Sequence, residues 1–220
     1  MRLLIVLCVL LPVRVAACDL ALLFAVDVSG SVDHAEYATQ MEGLAHALGD
    51  DQVSEALVAA SATLAVVQWT GASRQRLTVP WTQVTSFEAL EAFRGEVAGD
   101  VRVWRNFSTA IGEALRVSAS LFDDAAACER RVIDISGDGV SNEGETPRAT
   151  QPEMAARGIT VNALVIEDAT AGDLTGYFYE NVITGPGAFV VTAEGYEDYP
   201  RQMRRKLLRE VVQAVGALSP

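Results

Sequence analysis

Oxygen-bearing side chains follow an apolar run near the start of the chain. In the stretch FAVDVSGSVD, residues 24–33, Asp27 ends the run, and Ser29 and Ser31 occupy the next alternate positions. An aspartate and two serines separated by single residues do not continue a buried strand, because nothing apolar follows to cover them. We therefore expect these three side chains to serve a turn, a catalytic site or a bound ion.

The elements that must position these residues alternate between strands and helices. A continuous apolar run is typical of a strand buried on both faces, and apolar residues every three to four positions are typical of a helix. In chain order the predicted segments are the strand LALLFAV, a helix in VDHAEYATQMEGLAHALGD, a hairpin of the strands ATLAVVQWTG and RQRLTVPWTQV, a Ser-capped helix at 86–97, the helix STAIGEALRVSASLF, the strand RRVIDIS, the helix PRATQPEMAARG, the strands ITVNALVIE and GAFVVTA, and a basic C-terminal helix. This order predicts an α/β fold, doubly wound, with a mostly parallel central sheet, helices on both faces and one antiparallel edge strand.

Two later segments carry further expectations. Met203, Leu207, Val211 and Val215 recur every four residues, so we expect them to form the buried face of the C-terminal helix. The segment GDLTGYFYENVITGPG, residues 172–187, is rich in turn and aromatic residues and is interpreted as an insertion that shapes a partner surface.

Sheets of this kind place ligands at the carboxyl ends of their strands, where the strand order reverses. Asp138 lies at or near the end of the predicted strand RRVIDIS, and Thr109 lies where a loop enters a helix. Together with Asp27, Ser29 and Ser31, they supply three hydroxyls and two carboxylates at one edge of the sheet. Oxygen-only sites select magnesium, calcium or manganese over zinc or copper, so these five residues predict a site for a divalent cation.

The same residues resemble those of von Willebrand factor A (VWA) domains, whose metal-ion-dependent adhesion site (MIDAS) uses an Asp-x-Ser-x-Ser loop, a distant threonine and a distant aspartate. Asp27, Ser29 and Ser31 match the loop, Thr109 in TAIGEAL matches the threonine, and Asp138 in SGDG matches the aspartate. The resemblance covers about residues 19–216. The segments AVDVSGSVD, CERRVIDISGDG and NVITGPGAFVV further resemble a group of secreted bacterial proteins with a domain of unknown function. The VWA resemblance implies that the serines bind the metal directly, that the aspartates bind directly or through water, and that a vacant position accepts a partner's carboxylate.

Other interpretations of these residues stay open at the level of sequence. Ser29 and Ser31 could cap the following helix, with Asp27 accepting backbone hydrogen bonds from the loop. Gly137 stands where VWA domains usually have threonine. Residues 134–145 approximate an EF-hand loop, although RRVIDI is typical of a strand rather than of the helix that an EF-hand needs. A haloacid-dehalogenase-like phosphatase would need a second aspartate in place of Ser29 and a lysine before its last acidic motif, whereas the sole lysine lies in the C-terminal helix.

The N-terminus is typical of an exported protein. Residues 1–17 combine Arg2, a short apolar run and small residues before Cys18, so we predict a signal peptide at 1–17 and a single VWA-like domain at 18–220. Cys18 and Cys128 then remain in a compartment that permits disulfides. Each precedes a proposed site aspartate by nine or ten residues on strands that would be adjacent if parallel, so a disulfide is expected. VAAC also resembles a lipobox, which would lipidate Cys18 instead.

Charge and motif content limit the function. The formal net charge is -12, which repels nucleic acid and predicts no nucleic-acid partner. No transmembrane segment and no pairing of a catalytic nucleophile with a base is found, and the chain is predicted not to be an enzyme. The sequence therefore predicts an extracytoplasmic, divalent-cation-dependent module that binds a protein partner through its carboxylate, with Mg2+ preferred and Mn2+ or Ca2+ as alternatives. The competing hypothesis is an extracytoplasmic metal-dependent enzyme or assembly factor that uses the same site.

Overall fold

A central six-stranded sheet organises the chain in the computed structural model, which describes residues 18–167 and 172–216. The strand order is β3-β2-β1-β4-β5-β6, and all neighbours are parallel except the β2–β3 pair. The strands are β1 (Cys18–Asp27), β2 (Thr63–Trp69), β3 (Gln75–Gln83), β4 (Cys128–Gly137), β5 (Ile159–Glu167) and β6 (Val190–Glu194). The predicted fold class, including the antiparallel edge strand β3, is confirmed.

Helices cover both faces of this sheet. They are α1 (His34–Leu48), α2 (Asp51–Ala59), α3 (Phe87–Ala98), α4 (Ile111–Leu121), α5 (Pro147–Ala156), α6 (Leu174–Asn181) and α7 (Tyr199–Gly216). Buried side chains of α1, α2, α3 and α7 pack on one face, and those of α4, α5 and α6 pack on the other. Because the central strands are buried on both faces, their sequences are continuously apolar rather than alternating.

The strand order reverses between β1 and β4. From β1 the chain adds β2 and β3 on one side, and from β4 it adds β5 and β6 on the other. The carboxyl ends of β1 and β4 therefore flank the crevice where a doubly wound sheet binds its ligands.

Two helices were absent from the sequence prediction. The first, α2, is capped by Asp50, which follows closely after α1 and accepts hydrogen bonds from the backbone amides of Gln52 and Val53. The second, α6, occupies half of the segment predicted as a turn-rich insertion, and it buries Leu174 and Phe178 in the core. Both helices are short, so their apolar repeats are too brief to stand out without the sheet that they pack against.

The predicted disulfide is present. Cys18 and Cys128 are register partners at the start of β1 and β4, and they are bonded with a Cα–Cα distance of 4.5 Å. A sulfur atom in this bond is not free to carry a lipid, so lipidation of Cys18 is incompatible with the structure. The predicted signal peptide lies outside the described residues.

The apolar face predicted for the C-terminal helix is confirmed at Met203, Leu207 and Val211, which are buried against the sheet; the side chain of Val215 lies outside the described residues. The sequence prediction missed two charged residues on the same buried face, Lys206 and Glu210, both 0% exposed. Within the described ranges, no helix combines the length and apolar character that crossing a membrane requires.

Candidate metal centre

Asp27 ends β1 at the bottom of the crevice and is 0% exposed. Its Oδ1 accepts a hydrogen bond of 2.7 Å from the backbone amide of Ser29, and its backbone carbonyl accepts one of 3.3 Å from Gln40 on α1. Its Oδ2 is buried and has no hydrogen-bond partner among the described residues. A buried carboxylate oxygen without a donor is unfavourable unless a cation or another donor compensates it.

A chain of hydroxyl and carboxylate contacts joins the two strand ends. The Oγ atoms of Ser29 and Ser31 are 3.2 Å apart, and Ser31 donates a hydrogen bond of 2.6 Å to Oδ1 of Asp138. Asp138 follows directly after β4. The structure therefore brings four of the five predicted residues, Asp27 among them, into one cluster at the switch between β1 and β4.

Neither serine caps the helix that follows. The N-cap of α1 is Asp33, which accepts a hydrogen bond from the backbone amide of Glu36, while Glu36 in turn accepts one from the amide of Asp33. This capping box satisfies the end of α1 without Ser29 or Ser31. Their hydroxyls are therefore free to face Asp138.

Thr109, the fifth predicted residue, lies beside the loop that follows Asp138. Its backbone amide donates to Oδ1 of Asn142 at 2.9 Å, and its carbonyl accepts from the amide of Asn142 at 2.9 Å. A Cβ atom placed on Gly139 would lie 4.0 Å from Oγ1 of Thr109. Thr109 is thus tied to the Asp138 loop by its backbone, and among the described residues no hydrogen bond joins its hydroxyl to the Asp27 cluster.

Two glycines allow these loops to approach each other. A Cβ atom on Gly137 would lie 3.2 Å from Oδ2 of Asp27, so the usual threonine at this position would crowd the unpartnered oxygen. A Cβ atom on Gly112, in the first turn of α4, would overlap the backbone carbonyl of Glu145. The glycine in TAIGEAL therefore lets α4 pack directly against the loop that carries Asp138.

The electrostatics of the crevice favour a positive charge. Burial, reinforced by the neighbouring Asp138 carboxylate, raises the pKa of Asp27 to about 8. Near neutral pH the pair therefore holds a proton unless a cation replaces it.

The sequence prediction missed three residues that support the centre. Tyr196, in a 3-10 turn (Tyr196–Asp198), donates a hydrogen bond of 2.8 Å to Oδ2 of Asp138. Arg102 donates to the carbonyls of Val28 and Ser29 at 3.0 and 2.9 Å and fixes the first loop. No local motif marks Tyr196 or Arg102, because both reach the site from distant parts of the chain. Gln40, which bridges Asp27 and β4, lay within a predicted helix without a pattern to single it out.

The donor set fits a hard divalent cation. It combines two carboxylates with neutral hydroxyls, all of them oxygen ligands of the kind that magnesium, calcium and manganese prefer. In the part of the chain that the structure describes, no three or more His, Cys, Asp or Glu side chains form a metal-binding group. A cation here would therefore depend on the serine and threonine hydroxyls as well as on the two aspartates.

The rival interpretations meet structural obstacles. Asp134 and Ser136, at positions 1 and 3 of the supposed EF-hand loop, are buried residues inside β4. The lysine that a phosphatase would require contacts Asp134 rather than Asp27, because Lys206 lies 2.5 Å from Oδ2 of Asp134.

The family model described as "Protein of unknown function (DUF1194)" matches residues 17–215. No curated protein matches the chain.

Solved structures match across most of the chain. Proximal thread matrix protein 1 from the mussel byssus, with a zinc-occupied MIDAS motif, has 16% identity and a TM-score of 0.64, over 90% of this chain and 47% of that one. The pilus adhesin SpaC from Lactobacillus rhamnosus GG, in its open conformation, has 13% identity and a TM-score of 0.61, over 89% of this chain and 30% of that one. The von Willebrand factor type A protein from Catenulispora acidiphila has 17% identity and a TM-score of 0.59, over 91% of this chain and 43% of that one.

These structures establish the VWA-like fold that the sequence predicted. At such low identity they bear on the fold alone. The chain spans less than half the length of each of the three, so the activities of those whole proteins do not transfer directly.

Proposed function

The chain belongs to the family described as "Protein of unknown function (DUF1194)", and from its VWA-like fold and the aspartate pair in the crevice we propose that it is an extracytoplasmic, divalent-cation-dependent binding module. In this proposal residues 1–17 direct export and residues 18–220 form one binding domain. The disulfide between Cys18 and Cys128 supports an oxidising location.

The observation that carries the proposal is the burial of the Asp27 carboxylate beside a second carboxylate. Its Oδ2 is fully buried, lacks a hydrogen-bond donor among the described residues and shares the crevice with Asp138. Two carboxylates in a site of low polarity are mutually unfavourable, and a divalent cation removes that penalty directly.

We assign the cation to Asp27, Ser29, Ser31, Thr109 and Asp138, with magnesium preferred and manganese or calcium as alternatives. The bound cation would supply a Lewis-acidic position that accepts an oxygen from outside the chain. The three hydroxyls add no negative charge, so the cation keeps an affinity for an additional anionic ligand. A carboxylate on a protein partner provides one, which is how this site would recognise its partner. The mussel protein, which has a similar fold, holds zinc in its MIDAS motif, and this supports a divalent-cation site here without bearing on which cation is preferred.

A titration of purified protein, first in EDTA and then with magnesium, manganese or calcium, tests the cation site. At about 100 times the dissociation constant, the cation should raise the free energy of unfolding by about 2.7 kcal/mol. The variant Asp138→Ala should lose this response, because it removes one of the two carboxylates. Thermal unfolding monitored by circular dichroism measures both.

The matched control is Asp173→Ala, since Asp173 caps α6 and is not among the proposed cation ligands. This variant should lose some stability and keep the full cation response. An unchanged unfolding temperature in the parent with all three cations would contradict the proposed site. Turnover of a substrate panel by the cation-loaded protein would instead favour the metal-dependent enzyme or assembly factor.

Tyr196→Phe should weaken cation binding by about 10-fold to 100-fold, in line with the effect of losing a hydrogen bond to a metal ligand. The phenol donates to Oδ2 of Asp138 while Ser31 donates to Oδ1, so Tyr196 fixes the orientation of this carboxylate. Burial and the Asp138 charge raise the pKa of Tyr196 well above its ordinary range, which keeps the phenol a donor.

Isothermal titration calorimetry with the preferred cation measures this change. Tyr179→Phe provides the control, because Tyr179 is 67% exposed and should bind the cation like the parent. Equal affinities for Tyr196→Phe and the parent would show that the phenol does not orient the ligand.

A further inference from the structure

A second polar cluster lies beneath α7, separate from the crevice. Lys206 of α7 is 0% exposed, and its Nζ lies 2.5 Å from Oδ2 of Asp134 and 2.9 Å from Oε1 of Glu210. Nδ2 of Asn162 donates to both carboxylate oxygens of Glu210, at 2.9 and 3.0 Å. Asp134 and Asn162 are register partners on β4 and β5, so both stand in one row of the sheet under α7.

A lysine, rather than an arginine, occupies this buried position, and the two side chains differ in their chemistry. The 17 Lys and Arg residues of the chain include one lysine, and it occupies the most buried cationic position that the structure describes. A guanidinium serves permanent ion pairs better, because it stays charged and binds carboxylates through two parallel hydrogen bonds. A buried amine differs because it can lose its proton and act as a nucleophile.

Lys206 becomes a nucleophile when its ammonium group loses a proton to one of the two neighbouring carboxylates. Burial raises the pKa of Asp134 to about 6, with Lys206 opposing the shift and Glu210 adding to it. Two buried carboxylates beside one ammonium favour binding one more proton, since full ionisation leaves an uncompensated negative charge. Against the effect of burial, the two carboxylates hold the pKa of Lys206 above its ordinary value. The neutral amine therefore forms only by direct transfer of its proton to Glu210, which contacts Nζ, while Asp134 carries the other proton.

The geometry brings the reacting atoms together. The carboxyl carbon of Asp134 is one carbon–oxygen bond from Oδ2, so it lies within about 3.8 Å of Nζ, close to the separation of groups poised to react. Glu210 touches Nζ and is held in place by Asn162, so it can accept a proton from the amine and return one to the leaving hydroxyl.

We propose that Lys206 and Asp134 condense into an intramolecular amide, with Glu210 carrying the protons. The amine nitrogen attacks the carboxyl carbon, the new carbon–nitrogen bond replaces the carbon–hydroxyl bond, and one water leaves. No oxidant, reductant or co-reactant is consumed. The charges of the buried ammonium and of the carboxylate that accepts its proton are both lost when the neutral amide forms, which removes the cost of keeping two charges out of water.

The surroundings of the cluster favour the amide over its hydrolysis. The side chain of Phe24 is the register neighbour of Asp134 on β1 and is 1% exposed. The ring of Phe189 lies 5.5 Å from Nζ of Lys206 and is 4% exposed. These side chains exclude bulk water from the space around the cluster. Once the released water has left, hydrolysis of the amide would lack the water that it consumes.

The amide would attach α7 covalently to β4. The disulfide already attaches the start of β4 to β1, so the two bonds together would connect β1, β4 and α7. The two closed loops, 18–128 and 134–206, do not overlap and would constrain the unfolded chain independently.

Trypsin digestion of the full native chain, after reduction and denaturation, tests the amide directly. Acylated lysine resists trypsin, so peptide 206–209 should appear joined to peptide 132–148, with a mass lower by one water than the sum of the two. The variants Lys206→Arg and Glu210→Gln should both yield unlinked peptides, the first because it lacks the amine and the second because it lacks the proton acceptor. This readout requires no cation and no partner, so it is independent of the proposed function.

Mass spectrometry separates the possible results. A linked peptide lighter by one water, with fragment ions that place the bond at Asp134, supports the proposal. Cleavage after Lys206, with release of peptide 207–209, would show a free amine and overturn it in favour of an ion pair. A linkage lighter by one ammonia would place the bond at Asn162 and would equally overturn the assignment. The parent protein alone shows whether Lys206 and Asp134 are linked by an amide, so the test remains decisive even if a variant fails to fold.

Discussion

Replacing Cys18 and Cys128 together by serine should lower the free energy of unfolding by about 4 to 5 kcal/mol. The two cysteines close a loop with a sequence separation of 110, and a bond across so long a loop removes much of the freedom of the unfolded chain. Their Cα atoms are already register partners on neighbouring strands, so we expect little strain in the folded state to offset this gain. Urea denaturation under non-reducing conditions measures the difference.

The parent protein in a reducing agent is the control for the double serine variant. Once its disulfide is broken, the parent should unfold at nearly the same urea concentration as the variant, because only the bond distinguishes them. A loss of less than about 1 kcal/mol would show that the unfolded chain is already compact or that the bond strains the fold.

Lys206→Met should lower the free energy of unfolding by about 3 to 5 kcal/mol, the range observed when one partner of a buried charge cluster is removed. The substitution keeps most of the side-chain volume but leaves Asp134 and Glu210 buried without their cation. The prediction holds whether the parent has an ion pair or an amide at this position, since both are lost. Thermal and urea unfolding should agree on the loss.

Arg204→Met is the matched control on the same helix. Arg204 pairs with Asp50 at 2.6 Å, but 49% of its side chain is exposed, so its loss should cost less than about 1 kcal/mol. Equal losses for the two variants would contradict a special role for the buried cluster.

The pH dependence of Lys206→Met has a definite sign. Burial and the Glu210 charge already raise the pKa of Asp134 in the folded parent to about 6, and Lys206 opposes that shift, so its removal should raise this pKa further above the unfolded value. The folded variant therefore gains protons relative to its unfolded state, and its stability falls as the pH rises through the carboxyl range. The difference between variant and parent should accordingly be largest at neutral pH and should shrink toward pH 4.

Local sequence patterns were sufficient for the fold and for the first loop of the site. Continuous apolar runs identify strands buried on both faces, and their alternation with helices predicts a parallel sheet without knowledge of any contact. Asp27, Ser29 and Ser31 could be recognised because all three lie within five residues and follow directly from one strand end. The pairing of Cys18 with Cys128 could be predicted because both start strands that the same reasoning made neighbours.

Local sequence patterns could not predict the short helices or the contacts between distant segments. The helices α2 and α6 have 9 and 8 residues, which leaves too few turns for a clear apolar repeat. Lys206 and Glu210 stand on the basic C-terminal helix, and the four-residue spacing that joins them is common on exposed helices as well.

The sequence by itself determined the class of fold, the edge of the sheet where the candidate oxygen ligands gather, and the residue types available there. Only the tertiary structure decided that Asp27 is buried with an oxygen that finds no donor among the described residues, that Tyr196 donates a hydrogen bond to Asp138, and that the sole lysine meets Asp134 beneath α7. The physical reason is that strand and helix periodicity is encoded between neighbouring residues, whereas burial and charge pairing depend on segments far apart in the chain. Those contacts exist only after the sheet has closed and its helices have packed.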